Sequence, residues 1–189
     1  MPLLVLDRDG VINQDSDDYI RSLEDWVPVP GSIEAIAELS RAGYQIVIAT
    51  NQSGLSRGYF TLDTLESIHD HLRELVQAQG GNIAGIFYCP HLPDEGCECR
   101  KPGTGLLVAI EAELQASVAG CYFVGDSLKD LQAAQAKDCR PVLVLTGKGE
   151  KTRSQLSAPG VALDRPETIP TYANLAEASR AILGDNPAE

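Results

Sequence analysis

Asp7 and Asp9 stand one residue apart at the end of the apolar run Leu3-Leu4-Val5-Leu6, and Gly10 follows them. Residues two apart on a strand face the same way, so both carboxylates start on one side of the chain. Neighbouring carboxylates repel and hold protons more tightly unless a cation lies between them. The pair is therefore a metal-holding acid dyad or an ordinary polar strand exit with a turn glycine, and turn statistics alone weigh the two about evenly. Thr50-Asn51-Gln52-Ser53-Gly54 ends a second apolar run. Its short hydrogen-bonding side chains and glycine suit it to holding phosphate oxygens, though plain polar turns look similar. Arg100-Lys101-Pro102 brings two adjacent cations that suit a phosphorylated ligand, although surface Arg-Lys pairs are ordinary and the pair alone is a weak signal. Gly125-Asp126 ends another apolar run, with Asp130 four residues further on. Together these form a set for phosphoryl transfer: acids, a hydroxyl and a lysine, with no serine–histidine pair. Mg²⁺ is the expected metal, because it binds through one or two carboxylates plus substrate phosphate.

A second constellation is built for a different metal. Cys89, His91, Cys97 and Cys99 place three thiols and an imidazole within eleven residues. That is the Cys₃His ligand set of structural zinc. Four protein ligands leave no open position, so this Zn²⁺ is expected to hold a loop rather than activate water. Of the five cysteines, Cys121 reads as a small core residue and Cys139 has no assigned role. His69 and His71 are two apart on a predicted helix. They point in different directions, and both read as surface or satisfied residues.

The elements that must position these groups alternate. Apolar runs at 3–6, 44–49, 83–88, 120–124 and 141–145 read as strands. Between them lie helical patterns: one with Ser32 as N-cap and Gly43 as terminator, one capped by Thr61, one capped by Thr104, and one headed by Asp130. Strand–helix alternation predicts an α/β fold, a Rossmann-like doubly wound, mainly parallel sheet with helices on both faces. Its strand carboxyl ends gather Asp7, Asp9, Thr50, Lys101 and Asp126 into one crevice. The polar segment 14–30 is expected to form one wall of the site. Residues 150–160 are expected to be mobile, 161–163 to form a short edge strand, 175–183 a last helix and 184–189 a frayed tail.

The chain has 189 residues, enough for one well-packed domain, expected over 1–183. No apolar run approaches the roughly 20 residues of a membrane span. No basic-then-apolar leader is visible, so a cytoplasmic location is expected. The net charge of −12 argues against general nucleic-acid binding. It leaves room for a small phosphorylated substrate, because a bound metal and a few local cations can reverse the field in one cleft.

Asp7-x-Asp9-Gly10-Val11, Thr50-Asn51, Lys101 and Gly125-Asp126-x-x-x-Asp130 resemble, in order, the four motifs of the haloacid dehalogenase-like phosphatases. Asp7-Arg8-Asp9-Gly10-Val11-Ile12-Asn13, the Thr50–Gly54 stretch, the zinc loop and Cys99-Arg100-Lys101-Pro102 closely resemble its subgroup of heptose bisphosphate and histidinol-phosphate phosphatases. The resemblance spans roughly residues 3–149. The connections 13–31 and 50–100 leave little room for a cap domain. The resemblance implies an aspartyl-phosphate formed on Asp7, and Asp9 as acid and base. It implies Mg²⁺ held by Asp7, the Asp9 carbonyl and Asp126, with Thr50 and Lys101 steadying the transferring oxygens. Arg8, Asp15, Ser16, Asp17, Asp18, Asn51, Gln52, Ser53 and Arg100 are the implied substrate contacts. The implied activity is removal of the C7 phosphate from a heptose 1,7-bisphosphate, in nucleotide-activated heptose synthesis for lipopolysaccharide core or other glycans. The alternative is histidinol-phosphate hydrolysis in histidine synthesis. The expected partner is a small phosphorylated sugar, met by a monomer, with no nucleic acid or membrane. Two positions depart from the family pattern: Ser127 stands where a lysine is common, and Thr104 replaces a second proline.

Overall fold

The structure is a computed structural model and describes residues 1–185. Strand β1 (Leu3–Leu6) pairs in parallel with β2 (Gln45–Asn51) on one side and β4 (Tyr122–Gly125) on the other. Strand β3 (Gly85–Cys89) extends the sheet beyond β2, and β5 (Arg140–Val144) then β6 (Thr171–Tyr172) extend it beyond β4. The order is β3-β2-β1-β4-β5-β6, all parallel. It reverses direction at β1, and a crevice opens there at the strands' carboxyl ends. The expected doubly wound sheet is therefore present.

Both faces of the sheet are covered, which is why its strands read as continuous apolar runs. Leu4, Leu6, Ile46, Ile48, Val124 and Val142 pack on one side with helices α1 (Ser32–Arg41), α2 (Leu62–Ala78) and α6 (Leu175–Asp185). Leu3, Val5, Val47, Ala49 and Phe123 pack on the other with α3 (Gly105–Leu114) and α4 (Leu128–Ala136). Leu4, Val5 and Leu6 have no exposed surface, and burying each such side chain is worth roughly 1.5–3 kcal/mol. The strand that ends in the carboxylates is thus among the most firmly held parts of the fold.

Local signals held at some caps and gave way at others. Thr61 caps α2 as expected, its side chain accepting from Thr64 N at 3.2 Å. Ser32 lies inside α1, with Gly31 at the N-cap, and its hydroxyl donates to the Ile12 carbonyl at 2.6 Å. That bond ties the helix to the segment leaving β1. Thr104 occupies the N-cap of α3 without a side-chain cap bond.

Three carboxyl-terminal expectations are corrected. Residues 149–156 form helix α5 (Gly149–Leu156). The buried Thr152 hydroxyl donates to the Asp126 carbonyl at 2.7 Å, anchoring α5 beneath the crevice. The edge strand is Thr171–Tyr172 and not 161–163. The apolar signal of the latter comes from Leu163 packing on Leu131, Leu143 and Ile169. Helix α6 takes in Gly184 and Asp185 of the expected tail, and the tail's other residues lie outside the described ones. Cys139 is buried and Cys121 half-buried. Among the described residues, no helix is long and apolar enough to cross a membrane.

Candidate active site

Oxygens of Asp7, Asp126 and Asp130 lie within 4.8 Å of one another at the reversal point of the sheet. Asp7 follows β1 directly and Asp126 follows β4, its neighbour in the sheet. The space for the Asp126 carboxylate exists because Gly10 and Gly147 lack side chains. A Cβ at Gly10 would meet Asp126 Oδ2 at 2.0 Å, and one at Gly147 would meet it at 2.2 Å. Lys148 N donates to the same oxygen at 2.7 Å.

Lys101 reaches this group from the loop after β3. Its Nζ is 2.8 Å from Asp7 Oδ1 and 2.6 Å from Asp130 Oδ1, and it donates to the Ala49 carbonyl at 2.8 Å. Burial opposes the charge, but Asp130 and Asp7 hold the Lys101 pKa above the ordinary ammonium value. Asp130 Oδ2 accepts from the Ser127 hydroxyl at 2.7 Å and Ser127 N at 3.0 Å, forming a capping box on α4. Both Asp130 oxygens are therefore engaged, which leaves Asp7 and Asp126 as the open carboxylate donors. Burial, then the Asp130 charge, pushes Asp7 up to about 7 against the pull of Lys101. Burial, then Asp7 and Asp130, pushes Asp126 up to about 9. Crowded acids holding protons are a site that a hard divalent cation would relieve, and the oxygen donors fit Mg²⁺.

Asp9 is held separately. Its Oδ1 accepts from Arg8 Nε and Asn13 Nδ2, each at 2.9 Å, and its Oδ2 from Gln52 Nε2 at 2.9 Å. Burial opposes ionisation, yet the Arg8 charge and the bonds from Asn13, Arg8 and Gln52 hold Asp9 below the ordinary carboxylate value. Gln52 also donates to Thr50 Oγ1 at 3.0 Å. Asn51 clamps the Lys101 backbone: its Nδ2 donates to the Lys101 carbonyl at 3.2 Å and its Oδ1 accepts from Lys101 N at 3.0 Å.

A cavity of about 580 Å³ opens over these groups. Asp7, Asp9, Thr50, Asn51, Gln52, Ser53, Arg100, Lys101 and Asp126 line it, as do Asp15, Ser16 and Asp17 from the segment after β1. Two expected substrate contacts are elsewhere. Arg8 has no exposed surface and bonds Asp9 and His69 instead. Asp18 is exposed off the cavity, its carbonyl accepting from Arg21 Nε at 2.6 Å. Three lining cations were not anticipated: Lys129, Lys148 and Lys151. Lys148 reaches Asp15 at 3.4 Å. Burial, then Arg100 and Lys148, holds Lys129 below the ordinary ammonium value, which reflects a local excess of cations. No local pattern in the sequence marks these three; only the register of α4 and α5 brings them to the rim.

Beside the cavity, one atom each from Cys89, His91, Cys97 and Cys99 lies within 4.8 Å of the others. Cys89 Sγ is 2.9 Å from Cys99 Sγ and 3.6 Å from Cys97 Sγ, and His91 Nδ1 is 3.1 Å from Cys99 Sγ. A tetrahedron with bonds of about 2.3 Å has edges of roughly 3.7 Å. The Cys97 Sγ distances of 3.6 Å to Cys89 and Cys99 and the 3.5 Å from Cys89 Sγ to His91 Nδ1 are close to that. The Cys89–Cys99 and His91–Cys99 separations are shorter, and the three thiols and one imidazole are a zinc donor set. Arg100 Nη1 donates to the His91 carbonyl at 3.5 Å, which couples this loop to the cavity wall.

The sequence profile of haloacid dehalogenase-like hydrolases matches residues 2–137, and that of HAD-hydrolase-like proteins matches 98–178. The chain is 55% identical over 183 residues to the D-glycero-beta-D-manno-heptose-1,7-bisphosphate 7-phosphatase of Pseudomonas putida, covering 97% of this chain and 100% of that one. It is 45% identical over 188 residues to the enzyme of the same name from Neisseria meningitidis, covering 100% and 98%. A crystal structure of D,D-heptose 1,7-bisphosphate phosphatase from B. bronchiseptica, complexed with magnesium and phosphate, superposes with a TM-score of 0.89 at 44% identity, covering 98% of this chain and 99% of that one.

Proposed function

Because the chain belongs to the haloacid dehalogenase-like hydrolases, we propose that it is a Mg²⁺-dependent phosphatase that removes the C7 phosphate of D-glycero-beta-D-manno-heptose 1,7-bisphosphate. The observation that carries this reading is the pairing of Asp7 with Lys101 at 2.8 Å, with Asp126 alongside and Asp9 held apart on its own set of donors. Two neighbouring acids in contrasting environments can divide nucleophile and proton carrier between them.

Asp7 attacks phosphorus, and the bond to the sugar C7 oxygen breaks. Asp9, ionised at rest, takes up a proton as the negatively charged phosphate enters beside it and gives it to that oxygen, so the sugar leaves as an alcohol. A water then gives its proton to Asp9 and attacks the aspartyl-phosphate, releasing phosphate and restoring both acids. Asp7, Asp126 and the Asp9 backbone carbonyl would hold Mg²⁺, which when bound supplies positive charge between the attacking carboxylate and the phosphoryl oxygens. Lys101 and the Thr50 hydroxyl donate to those oxygens as charge builds on them.

The substrate's other phosphate goes to the cationic rim of Arg100, Lys129 and Lys148, with Asn51, Gln52, Ser53 and the 15–17 segment around the sugar. Ser127 caps α4, and Lys129 in the first turn of that helix supplies a cation to the cavity in its place. This rim favours a bisphosphate over histidinol phosphate, which offers an amine and imidazole there. Cys89, His91, Cys97 and Cys99 would hold Zn²⁺, which when bound would fix the loop that carries Arg100. The beta anomer follows the names of the relatives. The enzyme works as a cytoplasmic monomer in heptose activation for surface glycans.

Phosphate release with Mg²⁺ from the beta and alpha heptose 1,7-bisphosphates and from histidinol phosphate tests this reading. Fastest turnover of the beta anomer is expected. Preference for histidinol phosphate would overturn the substrate while keeping the chemistry.

A further inference from the structure

Arg8 and His69 make a buried contact that the reaction as written does not use. Arg8 has no exposed surface and His69 is 4% exposed. Arg8 Nη1 meets His69 Nε2 at 3.1 Å. At its other end, Arg8 Nε donates to Asp9 Oδ1 at 2.9 Å, and Nη2 stands 2.8 Å from the same oxygen. A guanidinium nitrogen only donates. His69 Nε2 must therefore accept, with the ring proton on Nδ1. A charged imidazolium would set two donors face to face. Burial, then the Arg8 charge, accordingly pushes His69 down to about 3.

The neutrality of this acceptor matters for what Arg8 does. A carboxylate at position 69 would compete with Asp9 for the guanidinium charge. An apolar residue would leave Nη1 unpaired in the core, a costly state that favours rotation of the side chain. A neutral acceptor holds the far end and leaves the charge to Asp9. Arg8 and Asn13 then both load Oδ1. Oδ2, with Gln52 alone, is left to carry the proton.

We propose that His69 is a positioning residue for proton transfer: as a neutral acceptor on α2 it holds Arg8, which in turn aims Asp9 at the leaving oxygen. This rests on the reading of Asp9 as acid and base. Neither histidine of α2 reads as functional from spacing alone, because the partner of His69 lies 61 residues away in the chain.

The test measures single-turnover alcohol release by the full-length, Mg²⁺-loaded protein from two probes. Heptose 1,7-bisphosphate has a poor leaving group that needs a proton, and p-nitrophenyl phosphate has a good one that needs little help. His69→Leu should lose about 10–100-fold on the first, and much less on the second, with KM nearly unchanged. His69→Gln, whose amide oxygen can accept from Arg8, should restore most of the lost rate, and His69→Glu should not. Equal losses on both probes, or no loss on either, would overturn the proposal as a case of general structural damage or of no role. If His69→Leu does not fold, the Gln and Glu variants decide: equal rates on the heptose probe overturn it. Wild-type protein inactive on both probes would instead refute the phosphatase reading itself.

Discussion

The Lys101 ammonium lies between Asp7 and Asp130, 2.8 Å from the first and 2.6 Å from the second. All three residues are almost wholly withdrawn from water, at 3%, 8% and 1% exposure. One cation thus steadies the acid at the end of β1 and is itself steadied by the acid at the head of α4. Asp130 is in this sense the brace of the site, and the Ser127–Asp130 capping box fixes the brace to its helix.

Asp130→Ala removes one partner of a buried pair and the capping box together. Breaking a buried pair costs about 3–5 kcal/mol, and a lost cap about 1 kcal/mol. Urea unfolding should show a loss of several kcal/mol, and kcat should fall with it. A change under about 0.5 kcal/mol, the scale of an ordinary surface substitution, would remove Asp130 as a brace.

Asp7→Asn keeps the shape and removes the proposed nucleophile. Phosphate release should fall by more than about 10³-fold, with circular dichroism and thermal midpoint close to those of the parent. Retained turnover would take the nucleophilic role from Asp7.

The protonation of Asp7 and Asp126 makes a pH prediction. Both pKa values are raised in the metal-free site, to about 7 and about 9. The folded protein therefore binds more protons than the unfolded chain between the unfolded carboxylate pKa and these values. Their contribution to metal-free stability is full at low pH and is lost as pH rises through about 7 and then about 9. Mg²⁺ must displace those protons, so its affinity should rise across the same window and its binding should release protons. Titration calorimetry near pH 7 in two buffers of different ionisation heat reads the release directly. Identical heats in both buffers would mean that the acids are already ionised.

Chelation tests the thiol loop. If zinc joins Cys89, His91, Cys97 and Cys99 as proposed, its removal should free all four and cost the Arg100 guanidinium the fixed His91 carbonyl that it bonds. KM for a bisphosphate should rise well before turnover of an aryl phosphate suffers, and Mg²⁺ alone should not reverse it. Freshly purified protein without stoichiometric zinc by elemental analysis would defeat the assignment.

Several features could be read from residue order alone because their physics is local. Four apolar residues running into Asp-x-Asp-Gly mark a buried strand and its exit, since side-chain alternation and turn chemistry act over neighbours. Cys89, His91, Cys97 and Cys99 declare a ligand set because eleven residues of chain can close on one ion. Strand–helix alternation likewise sufficed for a doubly wound sheet, because parallel strands require crossover connections. Other features depend on contacts that no local pattern encodes. Arg8 looks like a cavity residue beside two acids, yet packing sends it inward to His69. Residues 149–156 look merely polar, yet the Thr152–Asp126 bond folds them beneath the site. Asp130 reads as a helix cap, and only the loop after β3, reaching across the sheet's carboxyl end, brings Lys101 against it. The chain's local chemistry thus determined which groups were available. The tertiary structure decided which of them share a proton, a cation or an oxygen, because those interactions act over a few ångströms between residues far apart in sequence.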